Sequence, residues 1–254
     1  MYKIKASTGT GEWAGYGSNL FFGCKHACRY CYARASALRF KKINNSGGWE
    51  QMVFSENEFN APARKLDRPL MFPTCSDILP EHISIVADYL SKWLSVGNKV
   101  LIVTKPHLEC IKVLCRELEP FKLQVLFRFT IGTLDSEISK FWEPGAPLPQ
   151  ERVRSLKYAF KKGFVTSVSA EPMLCSVDNA IDMFSILSPM VTDTIWFGKM
   201  NRISQRVHVF PQDIKYVKLI EAQQTDDNIK RLCFALDLNP KVKWKDSIKA
   251  VLGI

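Results

Sequence analysis

No apolar run in this 254-residue chain approaches the roughly 18 to 20 residues that a membrane helix requires, and its start, MYKIKASTGTGEW, has no apolar core of a secretory signal. The expectation is a cytoplasmic protein with no membrane partner. Internal repeats and low-complexity tracts are absent too. The early glycines of STGTGEWAGYG are not followed by Lys and Ser or Thr, so they make no ATP loop and read as a flexible segment. Acidic residues are missing altogether between Trp13 and Trp49, where six basic ones stand.

An apolar fraction of 46% and a charged fraction of 24% are those of a globular protein, not of a disordered one. Eight cysteines in a reducing compartment form no disulfide framework, and a core of this size needs none. Some of them are therefore expected to hold a metal.

Apolar runs bounded by turn residues give six strand candidates, at 18–22, 69–74, 99–104, 123–130, 164–170 and 193–197. Between most of them lie segments with apolar residues three and four apart, such as Ile83, Val86, Tyr89, Leu90, Trp93 and Leu94, which suit helices covering a sheet. Runs such as VLIVT and VLFRFTI read as parallel strands buried on both faces. The pattern predicts an α/β fold, either a partial barrel or a doubly wound sheet. Residues 41–65 interrupt the rhythm as an excursion, and the three prolines of EPGAPLPQ at 143–150 make a fixed loop before a helix near Glu151. From about His208 the pattern turns helical and basic without a linker. The expectation is one domain, with a core over about 1–207 and an extension over 208–254.

Cys24, Cys28 and Cys31 fall within eight residues, in FFGCKHACRYCYARA, directly after the first predicted strand. They cannot all point comfortably into an apolar core, so their chemistry reads as ligation by thiolates, of zinc or of an iron–sulfur cluster. A structural zinc site closes four ligands, usually as two CxxC pairs, whereas this is CxxxCxxC with no second pair. His26 lies between two of the cysteines, where one loop would struggle to wrap a tetrahedron. Three cysteines on one loop instead leave one iron of a four-iron cluster open. The other five, Cys75, Cys110, Cys115, Cys175 and Cys233, form no CxxC pair and read as packing. A zinc-stabilised nucleic-acid-binding module and a ferredoxin-like carrier with a remote fourth cysteine stand as alternatives.

The CxxxCxxC spacing, with the aromatic Tyr30 before the last cysteine, resembles the signature of the radical S-adenosylmethionine enzymes. The run CKHACRYCYAR is similar to their spore photoproduct lyase-like branch. The similarity continues through CSDILPEH at 75–82, VTK at 103–105, RFTIGTLDSEISKFWEPGAP at 128–147 and Arg152, across about residues 20–175. The resemblance implies a partial (β/α)6 barrel of TIM type, a [4Fe-4S] cluster on Cys24, Cys28 and Cys31, and S-adenosylmethionine on the open iron. It implies reductive cleavage of that cofactor to a 5′-deoxyadenosyl radical, which takes a hydrogen atom from substrate. An electron donor such as flavodoxin or ferredoxin is the implied partner.

By position, the resemblance implies cofactor contacts for Tyr30, Ser76, Asp77, Lys105, Thr130 and Glu171. Lys105 and Thr130 end predicted strands, where parallel folds place ligands; Lys105 would pair with the cofactor's carboxylate. Glu171 departs from the branch, which commonly has an apolar residue there, and reads either as a substrate difference or as a local salt bridge. Glu143 and Arg152 are expected to pair across the proline loop in a structural role. Spore photoproduct lyase has a hydrogen-donating cysteine where this chain has Thr74. Cys75 is one position away, which in a strand turns the thiol to the opposite face, so repair of the spore thymine dimer is not implied.

The formal charge is 35 − 25 = +10. Lys25, Arg29, Arg34, Arg39, Lys41 and Lys42 surround the cysteines, and Lys241, Lys243, Lys245 and Lys249 flank Trp244. Such basic surface with interleaved aromatics suits DNA or RNA. Balancing a cluster and attracting an acidic electron donor accounts for some of the same charge. A peptide or small-molecule substrate stands beside the nucleic-acid reading.

Overall fold

The structure, a computed structural model, describes residues 1–4, 9–207 and 209–254. Ser7 and Thr8 of the glycine-rich start, and His208 at the expected boundary of the extension, lie outside the described residues. In chain order the strands are β1 (Tyr2–Lys3), β2 (Tyr16–Gly17), β3 (Phe21–Phe22), β4 (Val53–Phe54), β5 (Leu70–Phe72), β6 (Val100–Thr104), β7 (Val125–Thr130), β8 (Val165–Ala170), β9 (Ile195–Phe197) and β10 (Val242–Trp244). The α-helices are α1 (Tyr32–Arg39), α2 (Glu56–Asn60), α3 (Ile83–Ser95), α4 (Leu108–Glu117), α5 (Ser136–Trp142), α6 (Pro149–Lys161), α7 (Val177–Leu187), α8 (Ile203–Arg206), α9 (Ile214–Gln223), α10 (Asp226–Leu236) and α11 (Asp246–Leu252).

One sheet runs β1-β2-β5-β6-β7-β8-β9-β10, antiparallel only at its first pair. A doubly wound sheet reverses its strand order at a switch point. This one never does. Right-handed crossovers then put the helices on one face, and the winding is that of an open (β/α) barrel.

Side-chain alternation divides the strands accordingly. In β6, Val100 and Ile102 join the large core beneath the helices, while Leu101 joins Met71 and Ala14, with Trp13, Val103 and Leu126, on the inner face. Helix α3 buries Val86, Tyr89, Leu90, Trp93 and Leu94 on that core. Cys110 and Cys115 are buried in α4, as their packing reading requires. No helix among the described residues is long and apolar enough to cross a membrane.

Three expectations change. The first predicted strand, 18–22, shortens to Phe21 and Phe22, which pair with β4 in a separate ribbon, while the strand that enters the sheet beside β5 is Tyr16 and Gly17, just before it. The excursion at 41–65 is structured, and its Trp49 is 1% exposed. The C-terminal part is not only helical, because β10 pairs with β9 and extends the parallel sheet.

Candidate functional site

A cavity of about 520 Å³ opens at the carboxyl ends of the parallel strands. All nine side chains singled out in the sequence line it: Cys24, Cys28 and Cys31 with Tyr30, and Ser76, Asp77, Lys105, Thr130 and Glu171.

The cysteine loop is short of internal bonds and is held from outside. The Cys24 amide donates to the Trp49 carbonyl at 2.8 Å, and the Arg29 amide to that of Trp142 at 2.8 Å. The Arg29 side chain bonds the Phe141 carbonyl at 2.7 Å. Arg34 reaches back to the carbonyls of Ala27 and Arg29. Cys31 caps α1, its sulfur accepting from the Arg34 amide at 3.4 Å, so the positive end of a helix faces that thiol. The Gly145 amide bonds the His26 carbonyl at 3.1 Å, and a Cβ at Gly145 would run into the Lys25 carbonyl. Only glycine lets the two chains approach this closely.

His26 is not a ligand candidate in this geometry. It is fully buried and turned to Asp77, at 3.1 Å, and to His107, at 3.1 Å. Asp77 accepts from the Thr104 hydroxyl and from the amides of Ile78, at 2.9 Å, and Lys105, at 3.1 Å. Burial would raise its pKa, but His26 and Lys105 outweigh that and hold the carboxyl well below the usual range. Asp77 thus ties the cysteine loop to the ends of β5 and β6, and Ser76 lines the cavity beside it.

Glu143 sits under the loop at 1% exposure. It accepts from the Tyr30 hydroxyl and pairs with Arg152 at 2.6 Å and Lys105 at 4.0 Å. The Arg152 guanidinium also bonds the carbonyls of Pro147, at 2.7 Å, and Thr130, at 3.2 Å. The expected pair is therefore present, and it reaches into the site, which its place in a proline loop gave no signal of. Lys105 is 15% exposed; burial would lower its pKa, but Cys28, Glu143 and Asp77 outweigh it and keep the amine charged.

Burial pushes the Cys28 thiol up to about 12, with Lys105 opposing, and raises that of Cys24. Such thiols ionise when a bound positive centre takes the thiolate. A mononuclear ion would draw sulfurs to within about 4 Å of one another, from a Zn–S length of about 2.3 Å. No group of three or more His, Cys, Asp or Glu side chains among the described residues is placed to hold a single metal ion. Cys24, Cys28 and Cys31 nonetheless line one cavity.

Two expectations are corrected. Cys75 does not turn away: β5 ends at Phe72, alternation stops with it, and Cys75 lines the same cavity as Cys31. Its thiol is raised to about 11 by burial, then by Cys31. The C-terminal lysines are not an open basic patch. Lys245 is 2% exposed and pairs with Glu12 at 2.7 Å; Lys249 pairs with Glu12 at 2.5 Å; Lys241 donates to the carbonyls of Ser188 and Val191. Glu171 has Lys245 at 3.9 Å. Burial raises its pKa against the pull of Lys245. Trp13, Lys199 and Arg206 also line the cavity, and nothing in their spacing marked them.

No protein-family model matches the chain. An uncharacterized protein of Acidianus two-tailed virus is 26% identical over 215 residues, covering 80% of this chain and 71% of its own length. An uncharacterized protein of Methanocaldococcus jannaschii is 25% identical over 169 residues, 63% of this chain and 61% of its own length. Among solved structures, spore photoproduct lyase with a dinucleoside spore photoproduct superposes with a TM-score of 0.59 at 16% identity, over 94% of this chain and 78% of that one. Streptococcus suis SuiB bound to S-adenosylmethionine gives a TM-score of 0.50 at 12% identity, over 72% of this chain but only 40% of SuiB. The fold is that of the radical S-adenosylmethionine enzymes.

Proposed function

We propose that this chain is a radical S-adenosylmethionine enzyme of one domain, whose residues after 208 complete the sheet, and that it acts on a nucleic acid or nucleotide. The observation that supports the reading is the convergence of CxxxCxxC with six family-placed residues on one cavity at the carboxyl ends of the strands. A bound [4Fe-4S] cluster and S-adenosylmethionine would supply a 5′-deoxyadenosyl radical, generated with one electron from a donor of the flavodoxin or ferredoxin kind.

The chain's own part is positioning and exclusion of water. Cys24, Cys28 and Cys31 would hold three irons of the cluster. Lys105, kept charged by Glu143 and Asp77, would pair with the cofactor's carboxylate, an interaction in which a fixed ammonium is strong. Thr130 and Ser76 line the same cavity and would offer hydroxyls to its polar end. Arg206 in the cavity, and exposed Arg39, Lys41 and Lys42 beside the cysteine loop, suit substrate phosphates. Eight free thiols suit a reducing cytoplasm.

Anaerobically reconstituted protein should be brown, hold close to four irons, and release 5′-deoxyadenosine on reduction with the cofactor. A colourless protein carrying one zinc overturns the reading. Cys28→Ala should lose the cluster. Lys105→Ala should keep it and weaken S-adenosylmethionine binding by about ten- to a hundredfold, the worth of one charge-assisted bond. Deuterated nucleosides and oligonucleotides then identify the substrate by transfer of deuterium into 5′-deoxyadenosine.

A further inference from the structure

Two stretches of the chain carry no acidic residue, 13–49 and 194–212, and the fold brings them together at the mouth of the cavity. The first supplies α1 and the second supplies α8, which packs against it. Tyr32 opens α1 and lines the cavity, while Asn201 and Arg206 line it from the side of α8. The rim so formed has cations and no carboxylate of its own to neutralise them.

Arg202 and Arg206 are the unmatched cations of that rim. Among the described residues neither guanidinium has an ion pair or a side-chain hydrogen bond, whereas Lys199, on the same stretch, pairs with Asp226 at 3.2 Å. The two arginines stand at the two ends of α8, and burial, then the charge of Arg202, lowers the pKa of Arg206. Cys31, Tyr32 and Glu171 act the other way, but the one carboxylate among them already has Lys245 at 3.9 Å. Arg202 is also held at φ +55°, in the left-handed region that is unfavourable for an arginine, and no contact of its own side chain offsets that. Like charges gathered without a counter-charge are stabilised by a bound anion, and guanidiniums match the oxygens of a phosphate.

The rest of the rim is aromatic as well as basic. Tyr32 is 50% exposed although its hydroxyl is tied to the Thr74 carbonyl, and Phe40, at the other end of α1, is 65% exposed. At 1.5 Å per residue the two positions are about 12 Å apart along the helix. Arg39, Lys41 and Lys42 are exposed around Phe40, with Arg39 5.5 Å from its ring centroid. A phosphate site followed by open ring faces and further cations suits a single strand, whose bases are free to stack on protein. A duplex keeps its base faces inside, and a base still in the stack cannot enter a cavity. We infer that the α1–α8 rim is a binding face for single-stranded nucleic acid, in which Arg202 and Arg206 clamp a phosphate beside the nucleotide that enters the cavity and Tyr32 and Phe40 stack neighbouring bases. The inference deepens the reading above by naming the substrate class, and rests on it for the chemistry inside the cavity.

Binding is measured by fluorescence anisotropy on the full chain, before and after anaerobic reconstitution, with one labelled mixed sequence as single-stranded DNA, single-stranded RNA and DNA duplex. At least one of the single strands should bind about tenfold tighter than the duplex, and the tighter of the two names the sugar. Arg202→Asn combined with Arg206→Gln should weaken single strands at least about tenfold and flatten their salt slope by about 0.7 or more, the share of one phosphate. Asparagine tolerates the left-handed backbone, so that variant keeps the turn. Phe40→Ala should weaken single strands about fivefold or more, the worth of one stacked base, and leave the duplex unchanged. Duplex binding as tight as that of both single strands, wild-type affinity in the double arginine variant, or no single-strand binding at micromolar concentration in low salt overturns the inference. Iron content and 5′-deoxyadenosine release in the wild type test the earlier reading separately: a chain that releases 5′-deoxyadenosine yet binds no strand overturns the inference alone.

Discussion

Glu143 is the residue on which the site turns. One buried carboxylate serves the Tyr30 hydroxyl, Arg152 at 2.6 Å and Lys105 at 4.0 Å, with the Ser139 hydroxyl at 3.4 Å. Burial alone would raise its pKa, but Arg152 and Lys105 outweigh it and lower it. Removing the charge leaves two buried cations facing a neutral amide. Glu143→Gln should therefore cost about 3–5 kcal/mol, as broken buried pairs do, and lower Tm by about 6–20 °C in a chain of this size. Adding Arg152→Met should recover part of that loss, because the stranded guanidinium goes with it; thermal melts of the two variants decide. The pH dependence has a fixed sign. A depressed carboxyl contributes stability above its unfolded value of about 4.3 and loses it as pH falls, so the wild type's margin over Glu143→Gln should narrow on acidification.

At the scale of elements, the cysteine loop takes its shape from segments far away in the chain. Within it only turn contacts occur, such as Ala27 to Cys24 at 3.4 Å and Cys31 to Cys28 at 3.1 Å. Its outer supports are Trp49, the end of α5 and the turn at Gly145. Gly145→Ala should push that turn off the Lys25 carbonyl and loosen the loop. The expected result is a chain with wild-type circular dichroism that retains less than about half the wild-type iron after desalting; full retention would show that the turn does not set the loop. These supports also mark what the sequence could show. VLIVT and VLFRFTI declared β6 and β7 because a strand buried on both faces needs continuous apolar residues. The cysteine spacing declared the ligands because they are local. Three contacts could not be read, Gly145 on His26, Trp49 on Cys24 and Lys245 on Glu12, because each joins segments with no shared pattern. Cys75 was misplaced because a period of two was carried past the end of β5, where the chain no longer alternates.

For the whole molecule, the charge of +10 matters less by its size than by how much of it is free. The two basic segments offer ten cations. Six are held by protein partners: Lys25 by Glu81, Arg29 and Arg34 by loop carbonyls, Lys241 by two carbonyls, and Lys245 and Lys249 by Glu12. The exposed remainder is Arg39, Lys41, Lys42 and Lys243. Each phosphate neutralised on duplex DNA steepens the fall of log K with log salt by about 0.9, so these segments can supply a slope of no more than about −3.6. Replacing the four exposed residues with Gln should flatten the measured slope by about that amount. Replacing Lys241, Lys245 and Lys249 should leave the slope alone and lower Tm instead, since they brace β9, β10 and the N-terminal segment. Filter binding of one labelled duplex across a potassium chloride series reads both outcomes. A slope that follows these partnered lysines would mean that the C-terminal segment opens to meet its ligand, and the division between held and free cations would not stand.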